Sequence, residues 1–216
     1  MLSKKRYQVF VSSTYEDLKE ERNEVMRALL ELDCIPAGME LFPAADQDQW
    51  SLIQRVIDES DYYIVIVGGR YGSLSEEGIS YTQKEYEYAL EKGIPIIGFV
   101  HSNPTEIPTG KTDQNDDKRK KLDSFKSLVE KKMVKHWTNP QDLGSVVSRS
   151  LIQLTKSNPG IGWVKASELP EEDLSKEVLS LRRQKENLET ELNKIRTEEP
   201  KQAKNLAKGT EKIYII

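Results

Sequence analysis

Glu85 is the residue whose type and place best suit it to chemistry. It lies in Ser80-Tyr-Thr-Gln-Lys-Glu-Tyr-Glu-Tyr-Ala89, in the first turn of an expected helix and just after a loop rich in Gly and Ser. A carboxylate there projects toward the cleft that the loop borders. It could hydrogen-bond ribose hydroxyls, or stabilise an oxocarbenium-like centre while a glycosidic bond breaks. An acid in a first turn also complements the helix dipole, so position alone leaves both roles open. Glu87, two residues on, faces away. Ser12-Ser13-Thr14 ends an apolar run and precedes a helix. Its hydroxyls and free backbone N–H groups could hold phosphate or ribose oxygens, or could only cap the helix. Arg70-Tyr71-Gly72 follows the most apolar run of the chain. Arg70 could pair with a diphosphate and Tyr71 could stack on a base; the bland reading is a surface turn.

These residues need a frame, and the hydrophobic pattern predicts one. Strands are expected at 8–12, 35–41, 62–67, 94–100 and 133–137. Helices are expected at 16–32, 50–60, 82–92, 118–131 and 139–156, with Ser13 or Thr14 as cap of the first. Tyr62 to Val67, YYIVIV, is apolar on both faces, as a central parallel strand covered by helices must be. The order βα, repeated five times, predicts a parallel sheet flanked by helices, with ligands at the carboxyl ends of the strands. Those ends are Ser12–Ser13, Leu41–Phe42, Gly68–Tyr71 and His101.

The α/β domain is expected to end at residue 156. Residues 157–172 read as a linker or a segment capping the domain through Ile161 and Trp163. Residues 173–199 read as one helix. Its Leu174, Val178, Leu181, Lys185, Leu188, Leu192 and Ile195 step alternately by four and three, the spacing of a coiled-coil seam. The flanks are charged and the seam is narrow, so self-association is preferred over packing on the chain's own domain. Residues 200–216 form a basic tail.

Composition excludes several classes. Thirty-two basic against 36 acidic residues give a net charge of −4, no basis for nonspecific nucleic-acid binding. No run of about 18 apolar residues predicts a membrane span. A single cysteine, Cys34, permits no internal disulfide, points to a reducing, cytoplasmic setting, and reads as a buried structural thiol. With two histidines besides, soft ligands for a structural zinc site are too few. Gly110-Lys111-Thr112 resembles the end of a phosphate-binding loop, but Thr105 stands where that loop needs its first glycine. Gly68-Gly69-Arg70-Tyr71-Gly72 is not a dinucleotide fingerprint, and no G-x-S-x-G elbow occurs.

Taken together, Val9-Phe-Val-Ser-Ser-Thr-Tyr-x-Asp-Leu-x-x-Glu-Arg22, Gly38-Met-Glu-x-Phe-Pro43, Gly69-x-Tyr-Gly-Ser73 and Ser80-x-Thr-x-x-Glu-Tyr86 resemble an uncharacterised bacterial family of TIR-like domains. The resemblance spans about residues 5–165. It implies a flavodoxin-like, TIR-like fold, and a signalling or defence effector that binds NAD or a related nucleotide. Such domains either assemble with one another and with partner signalling proteins or cleave NAD at the nicotinamide bond. NAD would then be substrate, with no cofactor. The stretch from Lys84-Glu85-Tyr86 through Ala89-Leu90 and Gly93 to Ile96-Ile97 is similar in order to the segment holding the catalytic glutamate of the NAD-cleaving members. The resemblance thus gives Glu85 the catalytic role and Ser12, Ser13, Phe42 and Arg70 places in the pocket. It also extends to nucleoside deoxyribosyltransferases. Two readings stay open: an NAD-cleaving enzyme, and a non-enzymatic interaction module multimerised by the coiled coil.

Overall fold

The computed structural model describes residues 5–38, 49–166 and 171–197. Five strands alternate with helices: β1 Gln8–Ser13, α1 Lys19–Glu31, β2 Ile35–Ala37, α2 Gln49–Asp58, β3 Tyr62–Val67, α3 Tyr81–Glu91, β4 Ile96–His101, α4 Asp116–Val129, β5 Val134–Trp137 and α5 Pro140–Ser157. All strand pairs are parallel, in the order β2-β1-β3-β4-β5. This is the flavodoxin-like order, with YYIVIV in the middle as its two-sided apolarity requires.

Strand periodicity divides the core into two layers. Val9 and Val11 of β1 and Tyr62, Ile64 and Ile66 of β3 pack against Val25 and Leu29 of α1 and Leu143, Val147 and Leu151 of α5. Phe10 of β1 and Tyr63, Val65 and Val67 of β3 pack on the other face, against Ile53 of α2, Tyr86 of α3 and Phe125 of α4. Cys34 is buried in the first layer, and its burial pushes the thiol pKa up, consistent with a structural thiol.

Two local expectations are corrected. The first helix begins at Lys19, and its N-cap, Leu18, provides no side-chain cap. Ser13 is turned elsewhere, its hydroxyl donating to the Thr14 carbonyl at 2.8 Å. The third helix starts one residue early, capped by Ser80, whose hydroxyl accepts from the Gln83 amide at 3.1 Å. Glu85 therefore lies just beyond the first turn, where dipole compensation fades.

The compact unit runs to Val164, past the boundary expected at 156. Arg6 and Trp163 exchange backbone hydrogen bonds of 2.9 and 2.7 Å, and Gly160 N–H donates to the Tyr62 hydroxyl at 2.8 Å. The segment returns by its backbone; the Ile161 side chain is exposed. A second unit, Lys165–Ile216, contains α6, Glu171–Thr197, where Val178, Leu181, Leu188 and Leu192 are exposed. The basic tail lies outside the described residues. No described helix is long and apolar enough to cross a membrane.

Candidate functional site

The site is built from the last two residues of β1. Ser12 follows Phe10 by two, so it points to the face covered by α3, and Ser13 points to the face covered by α1. Ser12 accordingly meets Glu85: its Oγ donates to Glu85 Oε2 at 2.5 Å. Ser12 is 1% exposed and Glu85 5%. Ser13 meets Arg22 of α1, whose Nη1 donates to Ser13 Oγ at 2.7 Å, with Nη2 donating to the Val11 carbonyl at 3.3 Å. Arg22 is itself buried. It ties the end of β1 to α1 while Ser12 ties it to α3.

Tyr63 lies beneath this pair. Its ring stacks on Phe10, centroids 5.5 Å apart, and its buried hydroxyl makes no hydrogen bond of ordinary geometry. Burial, then the Glu85 charge, push its pKa well above the usual range, and the nearby Ser12 hydroxyl moderates the rise.

A cleft of about 500 Å³ opens where β1 and β3 end, the switch point of this topology. Ser13, Arg70, Tyr81, Glu85, Asp113 and Lys118 border it. Arg70 Nη2 donates to the Gly110 carbonyl at 2.6 Å, and Lys118 Nζ to the Gly72 carbonyl at 3.0 Å. The loop over residues 109–113 docks closely on Gly69. A Cβ at Gly69 would come within 2.6 Å of the Lys111 carbonyl oxygen, so the close approach requires glycine. Of the Gly110-Lys111-Thr112 segment, Gly110 and Lys111 belong to a short 3₁₀ turn, Thr109–Lys111, and Thr112 caps it; the turn braces the Arg70 loop.

Of the residues singled out in the sequence, Ser12, Ser13 and Glu85 come together, and Arg70 borders the same cleft as Ser13 and Glu85. Tyr71 does not join them, a correction to its stacking role. Its ring is buried in the second core layer and its hydroxyl donates to Gln83 Oε1 at 2.7 Å, so it presents no face to a ligand. Phe42 lies outside the described residues. Sequence reasoning missed Arg22, Tyr63 and Lys118. Arg22 had a signal: spaced four from Leu18 and three from Val25, it falls within the apolar stripe of α1, where a polar residue needs a reason. Tyr63 looked like any other core position of its strand. Lys118 is brought in by a long loop and left no local sign.

A parallel sheet with its cleft at the β1/β3 switch point defines a flavodoxin-like α/β domain with a candidate ligand site at its carboxyl edge. The chain belongs to the family described as a domain of unknown function, DUF4062, whose model matches residues 8–152. No curated protein matches it in sequence. Similar solved structures include the TIR domains of the activated Roq1 resistosome directly recognising the pathogen effector XopQ, at 15% identity and TM-score 0.48, over 68% of this chain and 99% of that one. Another is the CMP N-glycosidase BcmB of Clostridium botulinum, at 17% identity and TM-score 0.39, over 68% and 99%. A diflavin flavoprotein A3 from Nostoc sp. aligns at 13% identity and TM-score 0.34, over 70% and 98%.

Proposed function

We propose that the domain binds NAD or a related nucleotide in the switch-point cleft and hydrolyses its N-glycosidic bond. The observation that carries this reading is the Glu85 carboxylate, almost wholly buried, fixed by Ser12, and bordering a cleft that Arg70 and Lys118 also border. As the bond from C1′ to the base nitrogen lengthens, positive charge grows on the ribose. A fixed carboxylate in a water-poor setting stabilises that charge without reorganising. The pyridine leaves with the bonding pair as neutral nicotinamide, water adds to C1′, and the proton that water sheds passes to solvent. Arg70 commits one donor to Gly110 and has others for a diphosphate; Lys118 adds a second cation.

The test is nicotinamide release from NAD by the purified full chain. Glu85→Gln keeps volume and removes the charge, so turnover should fall about 10²–10³-fold. Glu87→Gln is the comparison, because Glu87 is exposed and bonded only along its own helix, to Gln83 at 2.7 Å. No release by the parent, or equal release by Glu85→Gln, refutes the reading.

The α6 seam supports self-association in the same reading. Val178, Leu181, Leu188 and Leu192 are between 45% and 63% exposed, and a second copy of the helix is the surface with matching spacing. Clustering would raise the local concentration of domains around the substrate.

A further inference from the structure

A second pocket lies at the carboxyl ends of β3 and β4, and the proposed hydrolysis makes no use of it. Its volume is about 200 Å³. Leu18, Ile107, Pro108 and Trp137 supply apolar wall, and Asp17 and Glu21 supply carboxylates. Both acids are more than nine-tenths buried. Asp17 Oδ1, Asp17 Oδ2 and Glu21 Oε2 each receive no hydrogen bond from the protein. The other Glu21 oxygen, Oε1, takes Lys111 Nζ at 3.4 Å. Burial raises the Asp17 pKa; the Thr14 hydroxyl and the Asp17 amide temper that rise without reaching hydrogen-bonding geometry.

Neither Lys111 nor His101 donates to these three oxygens. His101 lines the pocket, but its Nδ1 accepts from the Asn103 amide and its Nε2 lies 3.2 Å from the Thr138 carbonyl, so both ring nitrogens are engaged. Glu20 and Glu106 also line the pocket, so its lining holds four acidic residues and one lysine, Lys111. Three buried acceptors in an acidic, half-apolar pocket call for a ligand that brings donors and positive charge. Among the described residues no group of three or more His, Cys, Asp and Glu is placed to hold a metal ion, and the apolar wall of Leu18, Ile107, Pro108 and Trp137 favours a cation carried on an apolar body. An apolar cavity of about 150 Å³ admits benzene, so this pocket has room for one ring and a polar head.

We propose that this pocket binds a small organic cation, an amidinium, guanidinium or ammonium on a ring or short apolar body, with its N–H groups on Asp17 and Glu21. The assignment is independent of the role of Glu85.

The experiment uses the full chain, labelled with ¹⁵N and titrated with three isosteric probes: benzamidine, benzamide and benzoate. The Trp137 indole N–H, which donates to the Phe99 carbonyl at 3.2 Å, reports on the pocket wall. Benzamidine should shift that signal and saturate. Benzamide should bind at least about tenfold more weakly, because bonds to charged groups are the stronger ones. Benzoate should not bind. Glu21→Gln and Asp17→Asn, both close to isosteric, should each weaken benzamidine about tenfold or more. Equal binding of benzamide, or no saturation by about 10 mM benzamidine, overturns the proposal. So does affinity that survives both substitutions. Asp17 also borders the Glu85 cleft, whereas Glu21 lines only this pocket. Affinity lost in Glu85→Gln but kept in Glu21→Gln would place the cation in the neighbouring cleft and equally overturn it.

Discussion

Replacing Tyr63 by Phe should make the protein more stable and the proposed enzyme slower. The ring is fully buried, stacked on Phe10 at 8° between planes and set edge-on to Tyr86 at 6.4 Å, and Phe keeps all of this. Only the hydroxyl is removed, and it has no partner of ordinary geometry. A buried polar group left unsatisfied costs about 1–3 kcal/mol. The Ser12 hydroxyl lies close enough to relieve part of that cost, so the lower end applies. A gain of about 1 kcal/mol corresponds to a rise of about 2–4 °C in Tm for a domain of this size. Tyr86→Phe is the matched comparison, because that hydroxyl is also buried without a partner, and burial alone raises its pKa. It should give a similar gain in stability and leave nicotinamide release unchanged. Tyr63→Phe should lower release, because its hydroxyl lies beside the Ser12 hydroxyl that holds Glu85. Urea titration followed by circular dichroism measures the first effect and the release assay the second. A fall in the Tyr63→Phe midpoint would show that the hydroxyl is bonded in solution and refute the reasoning.

Arg22→Met removes the donors to Ser13 and Val11; with bonds from charged groups worth about 1.5–3 kcal/mol each, a loss of about 3 kcal/mol or more is expected in urea. Arg22→Lys should recover less than half, since one ammonium cannot span both acceptors. Asp17→Asn tests linkage: burial raises the folded-state pKa, so the folded protein holds this proton more tightly than the unfolded chain. The stability from Asp17 is then complete below the ordinary carboxylate value of about 3.9 and lost as pH rises through the raised folded value. Asp17→Asn should therefore melt close to the parent in acid and above it at neutral pH; a gap that narrows or reverses with rising pH contradicts the assignment. Deleting residues 165–216 should lower the sedimenting mass to that of one unit and preserve the melting of Met1–Val164. A monomeric parent at high micromolar concentration excludes the seam.

The sheet was legible because its signals are local and repeated. YYIVIV could be nothing but a doubly covered strand, and β3 occupies the residues expected. The meeting of Ser12 and Glu85 was legible because Ser12 lies at the end of β1 and Glu85 in the first half of the helix after β3, both on the carboxyl side of the sheet. Tyr71 misled for a physical reason. The bond from the Tyr71 amide to Asp113 Oδ2 at 2.6 Å draws the post-strand loop inward, and the ring follows it into the core. Asp113 is 42 residues away, and no local pattern encodes that contact. Arg22 was legible in position but not in purpose, since its partners Ser13 and Val11 lie on the preceding strand. The Asp17 and Glu21 pocket was hidden in the same way. In sequence Asp17 and Glu21 look like ordinary acids of the first helix, and the residues that meet them in the pocket, from Gly68 to Trp137, lie far along the chain.

The buried polar atoms of Thr14, Asp17, Glu21, Tyr63 and Tyr86 that lack hydrogen bonds are not scattered over the described core. All lie on β1–α1 or β3–α3, the two strand–helix units that flank the switch point. Folding alone gives no reason for such clustering. Apolar residues of similar volume at the same positions would avoid the desolvation cost, and the layers around β4 and β5 show that the fold can be packed that way. The Thr14, Asp17 and Glu21 atoms lie just beyond the carboxyl end of β1, where open α/β sheets bind ligands, and a ligand bringing donors and charge there would complete them. The Glu85 cleft and the Asp17 pocket are then two parts of one edge. Asp17 borders both, so a cation held in the pocket would alter the field at the cleft.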